Sequence, residues 1–91
     1  MIRQLISAEE IRQHIIHKYI EPARSKNEKG VTIRVGNVQQ ELGLIGEVSR
    51  PGSVYGAMAT KIFEKTARVK RLNVVGSGNA PNTKFIFEIL P

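Results

Sequence analysis

The 91-residue chain predicts an α+β domain with a small three-stranded antiparallel sheet. Three observations point there. A complete helix start signal stands at Ser7, a clean apolar/polar alternation runs through Val31–Val35, and two further strand-like runs, Val69–Val75 and Lys84–Leu90, flank a Gly/Asn-rich turn. At this length the chain reads as one domain over residues 1–91.

The elements follow in order. Ser7 can cap a first helix, with Glu10 three residues on as its capping-box partner and Ile6 and Ile11 as the staple across the cap. At 100° per residue, Ile11, Ile15, Ile16, Tyr19 and Ile20 cover an arc of about 180°. An arc that wide implies packing from more than one side, or sharing with a second copy of the chain. Pro22 predicts that the helix ends or kinks near Glu21. Val31–Val35 reads as a strand with Thr32 and Arg34 facing out. Asn37 with Gln40 repeats the capping pattern and predicts a short second helix, Val38 to Leu42, stopped by Gly43. A third helix is expected from Ser49 or Ser53 to about Ala67. Val54, Tyr55, Met58, Ala59, Ile62 and Thr66 would lie on its inner side, with Phe63 at the edge. Arg50, Ser53, Gly56, Ala57, Thr60 and Glu64 would lie outside. In the last two strands Leu72 and Val74, then Phe85, Phe87 and Ile89, are expected to point inward.

Composition bounds the partners. Fourteen Lys+Arg face eight acids, all of them Glu, for a formal charge of +6. The excess is densest in residues 68–91, with four cations and one acid. A basic balance favours a polyanionic partner, because each neutralised phosphate releases condensed counterions. The chain has no cysteine, so a disulfide framework and thiolate zinc sites are excluded. With no apolar run near the ~20 residues a membrane span needs and no recognisable leader, the expected setting is cytoplasmic, without a membrane partner.

Helix, strand, short helix, helix, strand, turn, strand: in this order of elements the chain resembles the winged helix-turn-helix superfamily over about Ser7 to Leu90. The likeness lies in element order rather than in diagnostic residues. It implies a third helix that enters the major groove of double-stranded DNA, and a hairpin wing on the backbone or minor groove. The Gly43–Gly52 connection is longer than the turn usual between the second and third helices of that superfamily.

The candidate nucleic-acid residues follow from both readings. A helix entering a groove about 12 Å wide needs a smooth face with donors near its N-terminus. Arg50 could reach guanine edges or a phosphate, Ser53 and Thr60 a base or phosphate, and Ala57 a thymine methyl, while Gly56 allows close approach. Packing against another protein would use the same smooth face. Lys61, Lys65, Arg68, Lys70 and Arg71 crowd the approach to the hairpin against Glu64 alone. In the wing, Ser77 and Asn79 could lie close to a sugar-phosphate edge, with Lys70, Arg71 and Lys84 flanking the tip. An ordinary tight turn would also choose Gly and Asn. Lys26, Lys29 and Arg34 form a weaker group that a solvated surface explains as well.

Chemistry of other kinds has little to work with. Glu10, His14, His17 and Glu21 share one helical face and could in principle hold a metal, but they lie opposite the apolar arc, where exposed Glu–His neighbours are common. No phosphate-binding Gly-Lys-Ser/Thr element, nucleophile elbow or dinucleotide fingerprint is present, so no cofactor and no catalysis are expected. The sequence therefore predicts a non-catalytic duplex DNA-binding protein, a small transcriptional regulator or a chromosome- or plasmid-associated factor. Homodimerisation through the first helix is compatible with it. The alternative is a protein-interaction module, an accessory subunit of a nucleic-acid-processing complex.

Overall fold

The computed structural model of the chain describes residues 7–43, 51–76 and 82–91. Its architecture is α+β, with helices packed on a three-stranded antiparallel sheet.

The capping box forms as the sequence predicts. Ser7 Oγ accepts the Glu10 N–H at 3.1 Å, and the Glu10 carboxylate accepts the Ser7 N–H at 3.1 Å. From there α1, Ala8–Ile15, passes into a π-helical turn, Ile16–Ile20, and continues as α2, Glu21–Ser25. Pro22 does not end the helix. A proline ring collides with the carbonyl four residues back and brings no N–H. The wide turn just before it, where the Glu21 N–H reaches back to the Ile16 carbonyl, takes up that misfit. The helix stops where Asn27 takes φ 60° and the Glu28 N–H bonds the Ala23 carbonyl at 2.9 Å.

Ile11, Ile15, Ile16 and Ile20 are all buried within the chain. The wide apolar arc is thus filled by the chain's own elements, chiefly the helix Pro51–Met58 and the sheet. No second copy is needed to cover these residues.

Strand β1, Gly30–Arg34, runs directly into α3, Val35–Glu41. The second helix therefore starts three residues earlier than Val38. Val35 is buried and its N–H bonds the Thr83 carbonyl at 2.8 Å, so the junction is set by the sheet and not by an Asn37 cap. Arg34 occupies the cap position without a side-chain cap bond, and Asn37 sits inside the first turn.

The expected third helix is two helices. α4 spans Pro51–Met58 and α5 spans Lys61–Ala67, with Thr60 extended between them. The break resets the helical phase. Val54, Ala57 and Met58 are buried before it and Phe63 and Ala67 after it, whereas Ile62 is 58% exposed. One unbroken helix would have pointed Ile62 inward and left Phe63 at the margin. Seating Phe63 against Phe87, ring centroids 5.2 Å apart, buries the larger apolar surface.

The sheet order is β1-β3-β2, where β2 is Val69–Val75 and β3 is Lys84–Ile89. β3 is central. It sends Phe85 and Phe87 inward, stacked with centroids 5.8 Å apart, and Phe85 also meets Tyr55 at 5.3 Å. A bulge between Arg71 and Asn73 shifts the β2 register and leaves Leu72 57% exposed instead of inward. As an edge strand, β2 would otherwise offer unpaired N–H groups to another chain. The Glu64 carboxylate takes the Arg71 N–H at 3.2 Å, and Asn73 Oδ1 takes the Val74 N–H at 2.9 Å.

Candidate nucleic-acid interface

Of the residues expected on the third helix, Arg50 and the side chain of Ser53 lie outside the described residues. Gly56 is exposed, as a groove-facing position requires. Ala57 is not: at 2% exposure it belongs to the core with Val54 and Met58 and has no methyl to offer a thymine. The physical reason is helical spacing: Val54, Ala57 and Met58 stand at i, i+3 and i+4, and α4 turns that face to the core. Thr60 is exposed but already occupied. Its Oγ1 accepts the Phe63 N–H at 3.4 Å as the cap of α5 and lies 3.5 Å from the Ala57 carbonyl. Lys61 and Lys65 project one turn apart from α5 and, with Ile62 and Glu64, line an open groove.

The cations around the hairpin disperse. Lys84 opens β3 opposite Val75, at the hairpin root, where the sequence places it. Lys70 pairs in register with Glu88, at the other end of β2 and four β3 residues from Lys84, about 13 Å away at the usual strand rise. It does not flank the tip. Arg71 stands opposite Phe87, and its Nη1 donates to the Ala59 carbonyl at 3.4 Å, which draws it toward the α4–α5 break. Arg68 ends α5 in the left-handed region, φ 56°, with an exposed side chain. Its carbonyl accepts from the Leu90 N–H at 3.0 Å and from Arg24 Nη2 at 3.2 Å. Ser77 and Asn79 lie outside the described residues.

Two clusters escape a linear reading. Arg34 donates through Nη1 to Asn37 Oδ1 at 2.9 Å and through Nη2 to Asn82 Oδ1 at 2.8 Å, joining the start of α3 to the hairpin. The sequence shows Arg34 only as an outward residue on a strand; its nearness to Asn82 exists only once β1 pairs with β3. The second cluster centres on Glu41 of α3, which meets His14 Nε2 at 2.7 Å, the Tyr19 hydroxyl at 2.5 Å and Lys18 Nζ at 3.9 Å. Burial, then the hydrogen bond and charge of Glu41, push the Tyr19 hydroxyl well above its usual range. The Glu10/His14/His17/Glu21 stripe is thereby divided: Glu10 caps, His14 turns to Glu41, and His17 bonds Glu21 at 3.1 Å.

Charge is segregated across these elements. Among the described residues, carboxylates pair with Arg12, His14, His17 and Lys18, all on the first helical segment. Lys61, Lys65, Arg68, Lys70 and Lys84 have no carboxylate within ion-pair distance among the described residues, and all five are exposed. Over residues 61–91, Lys61, Lys65, Arg68, Lys70, Arg71 and Lys84 outnumber the two acids, Glu64 and Glu88. Comparison with family models, with curated proteins and with solved structures gives no match.

Proposed function

We propose that the chain is a winged-helix domain that binds duplex DNA without catalysis, as a small transcriptional regulator or chromosome-associated factor. The observation that carries this reading is the charge segregation. Glu9, Glu21 and Glu41 pair with groups on the first helical segment, while Lys61, Lys65, Arg68, Lys70 and Lys84 stand exposed with no ion pair among the described residues. Topology supports it as well. A β2–β3 hairpin whose second strand is central to the sheet is the strand arrangement that a wing requires. Of the small residues expected on the groove-facing side of α4, Gly56 is exposed and Ala57 is buried.

The test is a duplex titration at several salt concentrations. Binding through about 4–6 phosphates gives a log–log salt slope of about −4 to −5. Charge reversal at Lys61 and Arg68 is expected to abolish binding at moderate salt. Undetectable duplex binding by the wild type at low salt sinks the reading.

Exposed Ile62 and Leu72, on adjoining elements beside Lys61 and Lys65, favour a second reading, a module that docks an acidic protein partner. Ile62→Ser with Leu72→Ser separates the two. Under the DNA reading the pair leaves the salt slope unchanged.

A further inference from the structure

We propose that Arg34 and Lys84 together form a phosphate-binding site at the root of the β2–β3 hairpin. Identifying the phosphate as part of a DNA backbone rests on the reading above; the site itself rests on geometry.

Arg34 and Lys84 are register partners in the β1–β3 ladder. Their chain neighbours Ile33, Val35, Thr83 and Phe85 are buried, so both side chains stand on the outer face of the sheet. Directly opposed side chains in such a ladder start about 5 Å apart, and like charges there repel. Neither has a carboxylate within ion-pair distance among the described residues. The other end of the same face differs, because there Lys70 stands opposite Glu88.

Arg34 is also oriented rather than loose. The oxygens of Asn37 and Asn82 hold its two terminal nitrogens at 2.9 and 2.8 Å, yet both partners are neutral amides. They fix the plane of the guanidinium and leave its charge intact. A guanidinium carries five N–H donors. With two engaged, three remain for an anion, and a tetrahedral phosphate matches that fork. Lys84 adds a second charge from the adjoining strand. The site sits where β1, the start of α3 and the hairpin meet, since the Val35 N–H bonds the Thr83 carbonyl at 2.8 Å. A bound phosphate diester would relieve the repulsion and seat the hairpin on a nucleic-acid backbone.

The experiment has two arms on the full chain. In the first, Arg34→Gln, Lys84→Gln and the double variant are titrated with duplex DNA across a salt series, with Lys70→Gln as the same charge change on the same face. The double variant is expected to reduce the salt slope by about 0.9, the value for one phosphate, and each single variant by part of that. Lys70→Gln should change it less. In the second arm, inorganic phosphate is added at constant ionic strength while the Arg34 Nε–H resonance is followed by NMR. A shift in the wild type that weakens in Lys84→Gln supports the site. Unchanged slopes with DNA binding intact overturn the proposal and leave the DNA reading standing. If the wild type binds no duplex but phosphate still shifts Arg34, the DNA reading falls and the phosphate site stands. No response in either arm overturns both. Lys84 is exposed at a strand end, so its variant decides the matter even if Arg34→Gln unfolds.

Discussion

Gly76 holds the root of the hairpin through two independent constraints. Its φ of 114° lies where side chains are rarely tolerated, and a Cβ added there would stand 2.9 Å from Thr83 Cα. Thr83 is itself buried, and its carbonyl accepts the Val35 N–H. A shift at this point is therefore passed to the junction that carries Arg34. Gly76→Ala should destabilise the chain by about 1–3 kcal/mol, read as a lower urea midpoint. The Gly-rich turn is legible in sequence. That Thr83 is the obstacle is not, because the clash arises across the hairpin.

Between elements, Glu41 is the tie that holds the first helix to α3. It accepts the Tyr19 hydroxyl and meets His14, so one carboxylate on α3 serves two side chains from the preceding helix. The raised Tyr19 pKa makes the tie sensitive to alkali. The folded state favours the neutral phenol, so this contribution is fully present below about pH 10, where the unfolded tyrosine titrates. It is lost progressively as pH rises from there toward the higher folded value. Urea midpoints at pH 8 and pH 11 should fall further for the wild type than for Tyr19→Phe, which lacks the titrating hydroxyl. Equal falls would show that burial and Glu41 do not hold the phenol in its neutral form.

At the scale of the molecule, one aromatic stack on the central strand organises the body. Phe87 lies against Phe63 on α5 and Phe85 beside it on β3, and all three rings are fully buried. Truncating Phe87 should cost about 3–5 kcal/mol, a large share of the about 5–15 kcal/mol that separates folded from unfolded domains. Phe87→Ala should therefore be largely unfolded near 37 °C by circular dichroism, and a cooperative transition near the wild-type temperature would contradict this packing. With the body held this way, the cations that pair with carboxylates fall on the first helical segment, while α5, β2 and β3 carry exposed lysines.

The sequence alone determined what depends on near neighbours. The Ser7–Glu10 cap, the alternation of β1 and β3, the span of β2 and the stop at Gly43 are all settled within a few residues, because caps and pleats are local geometry. What needed the tertiary structure is whatever several elements decide together. The first helix runs through Pro22 because a π turn absorbs the misfit. The third helix breaks at Thr60 because Phe63 gains more from Phe87 than Ile62 could from the same face. Leu72 turns outward because β2 bulges against its partner. The candidate interface divides along the same line. Lys61, Lys65 and Lys84 are where a linear reading puts them, exposed and basic. Ala57 moved into the core and Lys70 to the far end of the sheet, while Arg34 gained its two amide partners only when β1 paired with β3. Burial and strand register are competitions among distant segments, and no window of neighbouring residues contains their outcome.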